Sequence, residues 1–367
     1  MRLRGIAALV AGCFLFVTGC SGESGAESST TTRPPRIMQA DANGAVVFDP
    51  VTMTITGFDR TRGQLWQDRE LAETVSGVVC LARCPEAVIS TATGSGDGRA
   101  TGEPGTALYR FAEHGRTSFP LSGSRDVRVL TAASPEDAVV EERDPDGRTH
   151  LRIIRPAGSE RVAVPYSDYG WVMSPEGNTA LAFTTQRDPR QGRLLRFTRE
   201  PGGWKPDGTG LEWGTVSDAC LAGRGETALV TGPQAALVRE MSERRPLEPS
   251  LAEAAECALG TSAAALVMRS MDMRGGFRTV VHGVGPDGRS AWRREFATEA
   301  GVTAHPTRPY IGVSDGRTFT LLDAEGEVAR STDGVATARF VADGQLVAVT
   351  SDGDVKWMPA EPAGLAR

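Results

Sequence analysis

One feature constrains this 367-residue chain more than any other: a unit of about 43 residues recurs from residue 37 towards the C-terminus. Each copy has an apolar run, a turn of small, Pro, Gly and acidic residues, and a second β-rich run. The clearest copies are Trp171-Val172-Met173-Ser174-Pro175-Glu176-Gly177 before Ala180-Leu181-Ala182-Phe183, and Arg339-Phe340-Val341-Ala342-Asp343-Gly344 before Leu346-Val347-Ala348-Val349. Turns of this kind centre near residues 43, 85, 136, 177, 224, 261, 307 and 343. After most copies a third run and a Gly-containing turn lead into a fourth, as in Thr54 to Phe58 followed by Gln64-Leu65-Trp66. Each unit therefore reads as a four-stranded antiparallel meander, and no stretch has helical periodicity.

A lone four-stranded sheet leaves its edges unpaired, whereas sheets repeated radially shield them by closing into a ring. The sequence thus predicts an all-β fold, a β-propeller of four-stranded antiparallel blades over residues 37–362, with eight blades preferred and seven as the alternative. The first copy is weak, and the last unit, ending at Lys356-Trp357-Met358, lacks an obvious fourth strand. The extended segment near residue 37 is expected to supply that strand and latch the ring.

Two units carry a further pattern. Asp59-Arg60-Thr61-Arg62-Gly63-Gln64-Leu65-Trp66 combines an Asp, a Gly turn and a closing Trp, and Asp287-Gly288-Arg289-Ser290-Ala291-Trp292 follows it loosely. These blades resemble the PQQ-like repeats of quinoprotein-like and WD40-like propellers. The resemblance implies the fold and carries no quinone or other cofactor with it.

The N-terminus reads as an export signal. Arg2 and Arg4 precede an apolar run from Gly5 to Val17, shorter than a membrane span needs. Val17-Thr18-Gly19-Cys20 then follows, which resembles the lipobox of bacterial lipoproteins. The resemblance implies a signal peptide over residues 1–19, cleavage before Cys20, and a diacylglycerol anchor on the Cys20 sulfur. Two acyl chains give stable membrane attachment without a spanning helix. Residues 20–36 are rich in Ser, Thr, Gly and Pro and read as a flexible tether from anchor to fold.

Loss of Arg2 and Arg4 with the signal peptide would take the formal charge from −6 to −8. Such a body lacks the concentrated basic surface that nucleic acid requires. Lys205 and Lys356 are the only lysines among 40 basic residues, a bias that goes with a GC-rich genome.

With Cys13 lost in the leader and Cys20 lipidated, Cys80, Cys84, Cys220 and Cys257 remain. An even number in an exported chain indicates two disulfides. Of the three connectivities, Cys80–Cys84 with Cys220–Cys257 is preferred. Aligned on the repeat, Cys220 and Cys257 take the same inner-strand position of neighbouring units, where adjacent blades approach. A zinc site would favour close pairs on both sides, and the second pair is too widely spaced for that.

No residue set points to catalysis. His114, His150 and His282 lie beside turns or on strand runs without partners at ligand spacing, and His305, at a turn between inner strands, reads as structural. The acidic turns Asp144-Pro145-Asp146-Gly147, Asp315-Gly316 and Asp352-Gly353-Asp354 suit tight hairpins rather than calcium loops. Gly94-Ser95-Gly96-Asp97-Gly98 has the wrong spacing for a nucleophile elbow and no helix after it to cradle phosphate. The basic segments around Arg187 and Arg244 read as solvated loops. An enzyme site in a central funnel would need carboxylates or histidines at the inner turns, which hold Pro85, Pro135, Pro175, Gly223, Gly260, Pro306 and Ala342. The function expected is therefore that of a membrane-anchored, extracytoplasmic interaction module for an envelope protein or polymer. The alternatives are a propeller hydrolase, lyase or lactonase, or a small-ligand sensor.

Overall fold

Eight sheets follow one another along the chain, and each is a run of consecutive antiparallel strands. The computed structural model describes residues 34–359, except 73, 82, 92–105, 114, 122–125, 144–148, 157, 163–168, 175–177, 185–191, 201–202, 208–209 and 272–276. Cys20, His114, the Asp144 turn, the Gly94 loop and the Arg187 segment therefore lie outside the described residues. Blades 1 to 8 span residues 36–68, 75–121, 126–162, 169–212, 219–246, 256–296, 301–333 and 335–358.

The pattern of burial explains why these segments are strands. The second strand of each blade is sandwiched by neighbouring blades on both faces, so it reads as an unbroken apolar run such as Gly44–Asp49, Ala87–Thr91 or Leu346–Thr350. The outermost strand has only one covered face and alternates instead. In Ser290–Phe296 every second side chain is exposed. The turns follow the same logic. Asp59 Oδ1 accepts from the Thr61 and Arg62 N–H groups at 2.9 and 3.0 Å, and Gly63 supplies the positive φ of 77° that the hairpin needs.

The closing Trp of the PQQ-like pattern has a structural task. Trp66 lies over Gly57 and Trp292 over Gly283, each directly opposite on the adjacent strand. A Cβ on either glycine would come within about 2.2 Å of the indole. The Trp66 indole N–H then donates to the Pro85 carbonyl of blade 2 at 3.0 Å, tying one blade to the next. Trp292 similarly packs against Gly326 of blade 7.

Apolar layers fill every junction. Blades 5 and 6, for example, meet through Leu229, Leu251, Cys257 and Leu266, and blades 7 and 8 through Phe319, Leu321, Phe340 and Leu346. The ring closes because blade 8 packs on blade 1, with Val341, Val347 and Val349 against Ala45 and Val47. The molecule is an eight-bladed β-propeller, one 3-10 turn at Pro249–Leu251 being the helical element among the described residues.

The expected latch is not used. The strand Arg36–Ala40 hydrogen-bonds to its own blade, pairing Arg36 with Phe48 and Ala40 with Ala45, and blade 8 has three strands among the described residues. Blade 1 is already a complete meander, so Arg36–Ala40 has its ladder partner in Gly44–Asp49 and none is left for blade 8.

Candidate functional site

The cysteines come first because sequence singled them out. Cys80 and Cys84 are bonded across the inner turn of blade 2, with Cα atoms 5.1 Å apart. Cys220 of blade 5 and Cys257 of blade 6 are bonded across a junction at a Cα separation of 6.0 Å. The pairing is as expected, and so is its basis: Cys220 lies opposite Leu229 and Cys257 opposite Leu266, each two pairs back from its own inner turn, and both belong to the junction between blades 5 and 6.

Carboxylates gather beside this disulfide. Asp218 Oδ2 accepts from the Cys257 N–H at 3.0 Å, and burial pushes the Asp218 carboxyl up to about 6, helped by nearby Glu256. Burial also raises the Glu256 pKa, although Arg269 pairs with it at 2.5 Å and opposes the rise. Asp218, Cys220 and Cys257 bring potential ligand atoms within 4.8 Å of one another. Both sulfurs are bonded to each other, so neither is the thiolate a metal would take.

The face carrying the inner turns and the third-to-fourth-strand turns has an open polar groove of about 650 Å³ between blades 1 and 2. Asn43, Asp59, Arg60, Thr61, Arg62, Arg83 and Glu113 line it. Hydrogen bonds from Thr61 hold the Asp59 carboxyl down at about 2, with the Arg62 N–H and its guanidinium adding to the effect. Arg62 lies between Asp59 at 3.5 Å and Glu113 at 2.7 Å, and those carboxylates raise its pKa. The groove is thus an array of fixed charges on turn backbone, open to solvent, with three arginines in an acidic protein.

The remaining sequence candidates are structural. His305 is 4% exposed, its Nδ1 accepts from the Thr307 and Arg308 N–H groups at 3.2 and 3.0 Å, and its ring packs on Phe340. His282 Nδ1 is 2.9 Å from Ser290 Oγ, and burial lowers its pKa. His150 lies on a third strand, opposite Glu142 of its own sheet. Asp315 Oδ1 caps its own turn through Arg317 and Thr318 N–H, and Gly353, at φ 89°, forms the Asp352 turn. Arg244 stacks on Trp213 at 4.0 Å and is a packing element rather than a free loop charge. Sequence reasoning missed Asp218 and Glu256, which the junction of blades 5 and 6 brings together from 38 residues apart.

Comparison with known proteins adds fold alone. No family model matches the chain, and no curated protein does. Among solved structures, the chain is similar to a puromycin hydrolase S511A mutant complexed with PGG (14% identity, 87% of this chain and 58% of that chain, TM-score 0.52). It is also similar to the WD40 domain of SCAP from fission yeast (9% identity, 88% and 94%, TM-score 0.49) and to Sqt1 from Chaetomium thermophilum (12% identity, 80% and 83%, TM-score 0.48). The chain spans little more than half of the hydrolase, and identities this low convey nothing about activity.

Proposed function

We propose that this chain is a lipid-anchored, extracytoplasmic β-propeller that docks an envelope protein or polymer on its turn face. The groove between blades 1 and 2 is the observation that supports docking most. It is shallow, open and polar, and its charges are pinned by hydrogen bonds to the turns, as suits recognition of a large charged partner better than enclosure of a small substrate. The anchor rests on the lipobox-like Val17-Thr18-Gly19-Cys20. The two disulfides agree with an oxidising compartment.

The test is to solubilise the mature protein from its native membrane in mild detergent, crosslink it, and identify what co-purifies. Cys20→Ser serves as the unanchored control and Arg60→Glu with Arg83→Glu as the groove control. The reading predicts a stoichiometric partner that is lost in both controls. A lone monomer with nothing crosslinked contradicts it and redirects the search to ligands in the central channel.

A further inference from the structure

The groove between blades 1 and 2 is mounted on three turns that hold one another. Asp41 caps the inner turn of blade 1 by accepting from the Asn43 and Gly44 N–H groups at 2.7 and 2.9 Å, and its other oxygen accepts from the Cys84 N–H of blade 2 at 2.8 Å. The Arg60 N–H donates to the Asn43 carbonyl at 2.8 Å, which ties the turn after Asp59 to the same point. On the blade 2 side, the Cys80–Cys84 disulfide spans the turn that carries Arg83. The two blades come so close that a Cβ on Gly44 would lie 2.5 Å from the Cys84 backbone. Arg60 and Arg83 therefore stand on backbone that is fixed before any ligand arrives, which lowers the ordering cost of binding.

The charges on these turns divide into two groups. Arg62 is occupied, pairing with Glu113 at 2.7 Å and Asp59 at 3.5 Å, so one cation there faces two acids. Arg60 and Arg83 are exposed and have no carboxylate partner among the described residues. One side-chain bond reaches either of them, from Arg60 Nη1 to the Ala42 carbonyl at 3.5 Å, the long limit of a hydrogen bond. The Asp41 carboxylate, close by in sequence, is already taken by backbone N–H groups.

We propose that Arg60 and Arg83 clamp an acidic segment of a partner protein, one with two separated carboxylates, each taken by one arginine. This rests on the docking reading above and narrows the partner from protein or polymer to protein. Each guanidinium offers a planar fork that matches one carboxylate. The mixed sign of the groove sets the class. A polymer with a negative charge on every repeat would be drawn to Arg60 and Arg83 and repelled by Asp59 and Glu113 in the same lining, on a protein of net charge −6. A peptide segment can set acids against the two arginines and a neutral or basic residue against Glu113.

The test places the photo-crosslinker p-benzoylphenylalanine at Ala42 and, separately, at Glu113 of the full-length protein in its native membrane, and maps what each traps by mass spectrometry. A protein segment carrying two acidic residues is expected. A fluorescent peptide copying that segment should bind the detergent-solubilised protein, about fivefold more weakly in Arg60→Gln or Arg83→Gln and about 25-fold more weakly in the double variant. Both arginines are exposed, so these variants should keep the melting temperature of the unmutated protein. Exchanging the peptide's two acids for Arg should abolish its binding and restore it to the double variant Arg60→Glu with Arg83→Glu, a rescue that a merely structural role would not give. Nothing trapped at either position would overturn docking in this groove and the clamp with it. A trapped polymer, a trapped segment without two acids, binding undiminished in the double glutamine variant, or failure of the charge exchange would overturn the clamp while leaving docking in place.

Discussion

The junction between blades 5 and 6 and the junction between blades 8 and 1 do the same geometric job by different means. At the first, Cys220–Cys257 joins the inner strands covalently, Asp218 accepts from the Cys257 N–H, and outer loops add Glu248 N–H to the Gly288 carbonyl at 2.9 Å and Arg245 to the Pro286 carbonyl. At the second, between Val335–Met358 and Arg36–Asp68, no disulfide and no shared strand spans the seam among the described residues. Valines pack on Ala45 and Val47, and the Trp357 indole N–H donates to the Asp41 carbonyl at 3.4 Å. Asp41 itself reaches on to the Cys84 N–H at 2.8 Å, so this one turn connects blades 8, 1 and 2. An apolar interface can close a propeller without strand exchange, and the closing seam then depends chiefly on packing, with the Trp357 hydrogen bond beside it.

The largest expected effect comes from breaking that packing. Val349→Asp buries an unpaired charge at a fully buried seam position opposite Thr337 and should cost more than about 4 kcal/mol. Loss of the cooperative urea transition, with rapid proteolysis at the seam strands, is the readout. Removing the stapled junction should matter somewhat less. Cys220→Ser with Cys257→Ser opens a loop of 37 residues and should cost about 3–4 kcal/mol by chain entropy, and Cys80→Ser with Cys84→Ser, a separation of 4, about 2 kcal/mol. Equal losses in chemical denaturation would show that loop length is not what separates the two bridges.

Two aspartates sharpen the comparison through pH. The folded pKa of Asp218 is raised, so its ionisation opposes folding, and stability at this site falls as pH rises through about 4 to 6. Asp218→Asn should therefore stabilise the protein at pH 7 by about 1–3 kcal/mol and much less near pH 4, as read from urea midpoints. Asp59 has the opposite sign. Its folded pKa is depressed to about 2, so its contribution is present above the ordinary carboxylate range and is lost as pH falls towards 2. Asp59→Asn should lower the midpoint at pH 7, with the difference closing in acid. The smallest effect is Trp357→Phe, which removes one long hydrogen bond at the seam and should cost about 1 kcal/mol.

The fold was legible because each blade repeats the same local physics. Among the described residues, the Gly turn at Gly63, the apolar second strands and the inner turns near residues 43, 85, 136, 224, 261, 307 and 343 sit where their composition places them. What sequence could not convey was the relation between blades. Period put Cys220 and Cys257 at one position of neighbouring units, as the register has them, but did not show which blade face each side chain takes. Likewise Arg36–Ala40 read as a free extended segment, although its best partner was the strand after its own turn. The groove was illegible for the same reason, since Arg83 belongs to blade 2 and Arg60 to blade 1.

A double-mutant cycle across the closing seam tests the central claim, that eight consecutive units close into one ring by packing. Val47→Ala and Val347→Ala lie in the same buried cluster although they come from opposite ends of the propeller sequence. The account predicts a coupling free energy of about 0.5 kcal/mol or more between them in urea denaturation. Strict additivity of the two single losses would mean that blades 1 and 8 do not meet, and would contradict the closed eight-bladed ring.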